Sequence, residues 1–179
     1  GEVETADNAG IVGVHGGFAP LWHFKRSTEL TKPGKNIRDL LKQHDVGAGD
    51  DIAKFHDLAK LISSTVAYET GKTDTTTSAE AALNAKHGVC QDHAHIFITC
   101  ARLLDYPARY VSGYLMMNDR VDQDATHAWA EVHLPDLGWV GFDVSNGISP
   151  DERYIRVATG LDYQEAAPVS GIRLGNSSE

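Results

Sequence analysis

The sequence is poor in cysteine, proline and methionine, and no apolar run is long enough to cross a bilayer. Only Cys90 and Cys100 occur among 179 residues. A disulfide framework is therefore not what holds the chain together, and at this length one domain buries a substantial core without staples. On a single helix the two thiols would be separated by about 15 Å of rise, far beyond the roughly 7 Å Cα limit for a disulfide. They cannot bridge each other within a chain, which fits a reducing compartment, and a cytoplasmic location is the expectation. Apolar runs fall well short of the roughly 20 residues a transmembrane helix needs. Basic residues are also scarce: 16 Lys and Arg against 25 Asp and Glu give a formal net charge of -9. Nucleic acid and anionic membrane surfaces require a basic footprint, so neither is expected as a partner. The chain starts at Gly1 rather than Met, so the lack of a signal peptide carries no information.

Residues 1–30 are Gly-rich and irregular, with strand-like pieces at Gly10–Val14 and Leu21–Phe24, and read as an entry segment lying over the domain. Pro33-Gly34 signals a turn, with a short helix after it through Ile37, Leu40 and Leu41. Ile52, Phe55, Leu58, Ala59, Ile62 and Val66 form one apolar stripe, predicting a helix from Asp51 to Tyr68 with Asp50 as N-cap. Thr77-Ser78-Ala79-Glu80 fits a capping box, predicting a helix from Ser78 to about Lys86 that stops at Gly88. The preceding Gly71–Thr77 loop lacks the glycine spacing and lysine of a phosphate-binding loop.

What is present in force is the stretch from Gly88 to Leu104. Ala94, Phe97, Ile98, Ala101 and Leu104 recur at helical intervals, the pattern of one buried face. Cys90 precedes that stripe and falls in the first turn. There the unpaired N–H groups and the positive end of the helix dipole favour thiolate over thiol. The competing reading is an inert small hydrophobe. Cys100, inside the apolar part, reads as a core thiol. Past Pro107 the pattern changes to strands: Ala108–Leu115, the alternating Thr126–Leu134, Trp139–Asp143 and Tyr154–Thr159. Helices first and an antiparallel sheet second make the fold class α+β.

The sheet supplies what a thiolate needs. His127 opens one strand and Asp143 closes the next, so an imidazole can take the thiol proton while a carboxylate fixes its tautomer. Side chains alternate along strands, so the two share a face only if the hairpin loop has an odd length or a bulge intervenes. Gly138 and Gly141 are the expected bulge positions. The order Cys, His, Asp, with the nucleophile on a helix, matches papain-like enzymes.

These blocks resemble the transglutaminase-like superfamily, specifically its bacterial branch of cysteine proteases. The matching residues are Gly88-Val89-Cys90-Gln91-Asp92-His93-Ala94-His95, Pro107–Tyr114, Asp124–Val132 and Gly138-Trp139-Val140-Gly141-Phe142-Asp143. Weaker echoes extend from about Leu30 to Val169. The resemblance implies a papain-like core with a Cys90–His127–Asp143 triad, acyl transfer through a thioester, a protein or peptide substrate and no cofactor or metal in the chemical step. It assigns residues 31–174 to the catalytic domain, and the terminal stretch 175–179 is expected to be a disordered tail. An N-terminal β-rich domain precedes this one in larger members. His93 stands where a bulky apolar residue is common, and is expected to alter the cleft wall.

The backbone N–H of Cys90 is the natural first oxyanion donor. Tyr68 and Gln91 are candidates for the second, against plain packing and solvation roles. Trp129 and Trp139 pack the sheet, and Trp129 is a candidate substrate contact. A zinc site built on Cys90, His93 and His95 is the rival chemistry, but His93 and His95 would diverge by about 200° around a helix. Hydrolysis by a protease or amidase is favoured over transamidation by a protein-glutamine gamma-glutamyltransferase, because no acidic cluster resembles a calcium site. A non-catalytic interaction domain is the third reading.

Overall fold

A computed structural model describes residues 10–43, 50–116 and 126–167. The proposed tail at 175–179 and the first nine residues of the entry segment lie outside these. The element order is β1 (Ile11–Gly13), a 3-10 helix (Leu21–Lys25), α1 (Lys35–Gln43), α2 (Asp51–Thr65), β2 (Ala67–Tyr68), α3 (Ala79–Ala85), β3 (His87–Gly88) and α4 (Cys90–Leu103). Then follow β4 (Ala108–Leu115), β5 (Thr126–Leu134), β6 (Gly138–Phe142), β7 (Tyr154–Gly160) and α5 (Tyr163–Ala166). The main sheet has the order β1-β6-β5-β4-β7, and each neighbouring pair is antiparallel. A fold of mixed helices and antiparallel sheet is what the order of sequence patterns implied.

The sheet and helices α1 to α3 enclose α4, which is buried continuously from Asp92 to Arg102 rather than along one stripe. Ile96, Phe97 and Ile98 are fully buried, each side chain worth about 1.5–3 kcal/mol of transfer free energy. Polar residues off the stripe survive burial by finding partners. Thr99 Oγ1 donates to the carbonyl of His95 at 2.7 Å. The Arg102 guanidinium donates to the carbonyls of Phe24, Ala108 and Leu161 and to Thr31 Oγ1. It thereby ties the segment before α1 to the start of β4 and the end of β7, which lie side by side. Burial lowers its pKa to about 10, which leaves it charged at neutral pH. Cys100 is the core thiol expected, with burial pushing it up to about 12.

Several local expectations fail for tertiary reasons. Leu21–Lys25 is a 3-10 turn rather than a strand, and Phe24 packs edge-on against Trp139 at 5.1 Å. Helix α2 ends at Thr65, and Ala67 and Tyr68 leave it to pair in parallel with His87 and Gly88. Ser78, not Thr77, caps α3 through the Ala81 N–H. Glu80 does not close a capping box; it accepts from the backbone N–H groups of Gly34, Asn36 and Ile37, capping α1 from outside. The left-handed residue that ends α3 is Lys86, at φ 58°, two residues before Gly88. Phe24, the Ala67–Tyr68 pair and Glu80 each take a distant partner that local pattern does not specify.

Candidate active site

Cys90 is the first residue of α4, with Val89 in extended conformation as its N-cap. The turn is held by Asp92, whose Oδ2 accepts from the Val89 N–H at 2.8 Å and from Thr73 Oγ1 at 2.7 Å. Asp92 folds over Gly88: a Cβ there would stand 2.7 Å from the aspartate side chain. Burial pushes the Asp92 carboxyl up in spite of those donors. The β2–β3 pairing sets Tyr68 beside Gly88, two residues from the cysteine.

His127 and Asp143 share a face without any bulge. Ala130 pairs with Phe142, Val132 with Val140 and Leu134 with Gly138 in unbroken register, leaving Pro135, Asp136 and Leu137 as a three-residue turn. The expected irregularity at Gly138 and Gly141 is therefore absent, and the odd loop length does its work. Asp136 and Gly138 take φ of 66° and 77°, the left-handed conformations such a turn uses.

His127 Nε2 donates to Asp143 Oδ2 at 2.5 Å, leaving Nδ1 for the Cys90 sulfur on the same cleft. Burial disfavours the imidazolium, but the hydrogen bonds and charges of Asp143 and Cys90 outweigh it and push His127 up to about 9. Asp143 is fully buried. Its Oδ2 also accepts from Asn146 Nδ2 at 2.7 Å and Tyr154 Oη at 2.7 Å, and its Oδ1 accepts from the Asn146 N–H at 3.1 Å. Burial would raise this carboxyl, yet His127 and the other donors hold it below the usual carboxylate range.

Cys90 and His127 open onto a cleft of about 450 Å³ whose walls include Tyr68, Gln91, Tyr110 and Tyr163. Tyr68 is half-exposed and its hydroxyl lies against Cys90. Gln91 lines the same cleft, with Nε2 3.5 Å from the Asp74 carbonyl. Trp129, by contrast, is 2% exposed. It stacks behind His127 with centroids 6.3 Å apart, so it backs the imidazole rather than meeting substrate from the cleft.

His93 does not wall the cleft either. It is 2% exposed, with Nε2–H donating to the Val66 carbonyl and Nδ1 accepting from Ser145 Oγ, each at 2.9 Å. The side chain clamps the first turn of α4 to the segments that carry Tyr68 and Asp143. His95 points elsewhere, its Nε2 accepting from the Tyr163 N–H at 3.1 Å. Among the described residues no three His, Cys, Asp or Glu side chains gather as metal ligands. Sequence reasoning missed Asn146, Tyr154 and the clamping role of His93. An Asn three residues after the aspartate was a legible signal for an Asx-type turn; Tyr154 had none.

A helix-borne cysteine, a strand-borne histidine and a buried carboxylate on a papain-like scaffold define a class of protein, and the comparisons give its family. Residues 38–144 match the transglutaminase-like superfamily, and the chain belongs to it. Rv2569c, an uncharacterized protein of Mycobacterium tuberculosis, is 41% identical over 131 residues, which are 68% of this chain and 42% of that protein. ML0607 of Mycobacterium leprae, also uncharacterized, is 34% identical over 142 residues, 73% of this chain and 50% of that one. The chain thus spans half or less of the length of these relatives. Among solved structures, one described as a putative cysteine protease from Cytophaga hutchinsonii superposes with a TM-score of 0.72 at 25% identity, covering 90% of this chain and 55% of that one. The periplasmic domain of TgpA from Pseudomonas aeruginosa shares the fold at a TM-score of 0.54 and 21% identity, covering 71% and 47%. No helix among the described residues is long and apolar enough to cross a membrane.

Proposed function

We propose that this chain is a cysteine-dependent acyl-transfer enzyme that opens amide bonds of peptides or proteins through a thioester on Cys90. The observation that carries the reading is the 2.5 Å contact between His127 and Asp143, with the other ring nitrogen left to the cysteine at the floor of an open cleft. In the proposed reaction His127 already holds the Cys90 proton at neutral pH, and the resulting thiolate attacks the carbonyl carbon. His127 then returns that proton to the leaving amine as the C–N bond breaks. Asp143 stabilises the imidazolium between the two transfers. The oxyanion is placed at the Cys90 N–H, at the start of α4, with the Tyr68 hydroxyl as the second donor. Gln91, already turned toward the Asp74 carbonyl, is the weaker candidate.

Hydrolysis of the thioester is favoured over transfer to a second amine, a reading supported by the protease description of the Cytophaga protein. The test is mass spectrometry of Cys90 adducts after incubation with a library of peptides and amines, with Cys90→Ala as control. Acyl adducts on Cys90 and free-acid products are expected. Amide products would point to transamidation. Iodoacetamide labelling of Cys90 at pH 6 that is no faster than that of a free thiol would contradict the proposal.

A further inference from the structure

Tyr154 lies outside the cleft, yet its hydroxyl meets the carboxylate that holds His127. We propose that Tyr154 is a positioning residue, which sets the pH window of the Cys90–His127 pair by anchoring Asp143 through its phenolic hydroxyl. The inference rests on the acyl-transfer reading above.

Asp143 Oδ2 receives three donors, His127 Nε2, Asn146 Nδ2 and Tyr154 Oη, at 2.5, 2.7 and 2.7 Å. Asn146 sits three residues downstream on the same turn and moves with Asp143. Tyr154 comes from β7, at the far edge of the sheet from β6. Its ring reaches over the sheet face to pack against His127 and Trp129, with centroids 6.0 and 5.4 Å apart. Gly113, opposite His127 on β4, lets Trp129 and the β7 backbone approach closely: a Cβ there would stand 2.7 Å from the Trp129 ring. The imidazole and its carboxylate are thus backed by a residue from a third strand.

Each hydrogen bond donated to a carboxylate makes it less basic and weakens its hold on a neighbouring imidazolium. The hydroxyl of Tyr154 therefore does two opposed things. It fixes the rotation of Asp143, so that Oδ2 faces Nε2. It also draws off part of the charge that would otherwise keep His127 protonated to still higher pH. The other titratable groups facing this pair are Cys90 and His93 from α4 and Tyr68 from β2. His93 is held neutral between Val66 and Ser145, its pKa lowered mainly by burial. Tyr68 is a phenol raised by burial and by the charge of Cys90. Neither changes charge where His127 does. Tyr154 also lines a pocket of about 140 Å³ together with Trp129 and Glu131. An apolar residue of similar size would keep that lining while removing the donor.

The experiment is the pH dependence of Cys90 alkylation by iodoacetamide in wild type, Tyr154→Phe and Tyr154→Met, with near-UV circular dichroism as the check on folding. The apparent alkaline inflection belongs to the coupled pair. In both variants it should move upward by about half to one pH unit, as expected for loss of one charge-assisted hydrogen bond shared among three. Turnover should fall several-fold because Asp143 is less fixed. A folded variant whose inflection is unmoved or moves down overturns the inference. So does the failure of both variants to fold, which would make the residue structural. If wild-type Cys90 labels no faster than a free thiol at pH 6, the acyl-transfer reading fails and takes the inference with it. A wild type that behaves as proposed beside an unmoved variant overturns the inference alone.

Discussion

Replacing Asp143 by Asn separates the two things this carboxylate does, holding a tautomer and supplying a charge. The outcome follows from counting donors. Oδ2 accepts three hydrogen bonds, from His127, Asn146 Nδ2 and Tyr154, whereas Oδ1 accepts one, from the Asn146 N–H. A carboxamide has one oxygen to offer. With that oxygen at the Oδ2 position it keeps three bonds and sets its NH2 against a single N–H. The reverse orientation opposes three donors at once. The first is therefore favoured, and His127 keeps a proton on Nε2; only the charge is lost. In a triad where the same substitution inverts the tautomer, it costs about 10⁴ in turnover. That cost is not expected here. The rise of His127 from 6.5 to about 9 corresponds to about 3 kcal/mol, which is what Asp143 and Cys90 together supply beyond the opposing effect of burial. Losing between half and all of it predicts a fall of about 10- to 150-fold in turnover at neutral pH. The alkaline inflection of iodoacetamide labelling should drop by about one pH unit or more. The assays are that pH–rate profile and ¹⁵N NMR of the imidazole, which reports which nitrogen carries the proton. Turnover falling by 10⁴ or more with the proton found on Nδ1 would refute the counting argument.

Three further outcomes follow from the same geometry. Thermal stability should be greatest near pH 6 to 7. His127 is raised to about 9 in the fold, so its contribution is full below 6.5 and lost as pH rises through 9. His95 is lowered to about 4 by burial, so its contribution is full above 6.5 and lost as pH falls through 4. Melting temperatures of wild type, His127→Gln and His95→Gln across pH 4 to 10 test each limb separately. Gly113→Ala should destabilise by about 2 kcal/mol or more, because a Cβ there stands 2.0 Å from the Ile155 carbonyl oxygen and one of the two strands must move; urea unfolding gives the number. Glu80→Ala should cost about 1–2 kcal/mol by uncapping three N–H groups at the start of α1, and hydrogen exchange at Asn36 and Ile37 should accelerate ahead of the rest of the chain.

Sequence alone determined what period and spacing can encode. The apolar stripes set the helices, and the change to strand-forming sequence after Pro107 placed β4 and β5 to the residue. The cysteine at the head of α4, the histidine at the start of β5 and the aspartate just past β6 were all legible, because residue type and local element decide each of them. So was the family, since those short blocks occur together. Whether His127 and Asp143 share a face was not legible, because it hangs on a loop of odd length whose end points only strand pairing fixes. Glu80 serves a helix more than 40 residues upstream. His93 turned out to be a clamp between elements rather than a wall of the cleft. Tyr154 reaches Asp143 from β7, which β5 and β4 separate from β6 in the sheet. Periodicity records which side of its own element a residue occupies. What that side then meets is decided only when distant elements pack, because the partner's side chain, and the space left for it, come from other parts of the chain.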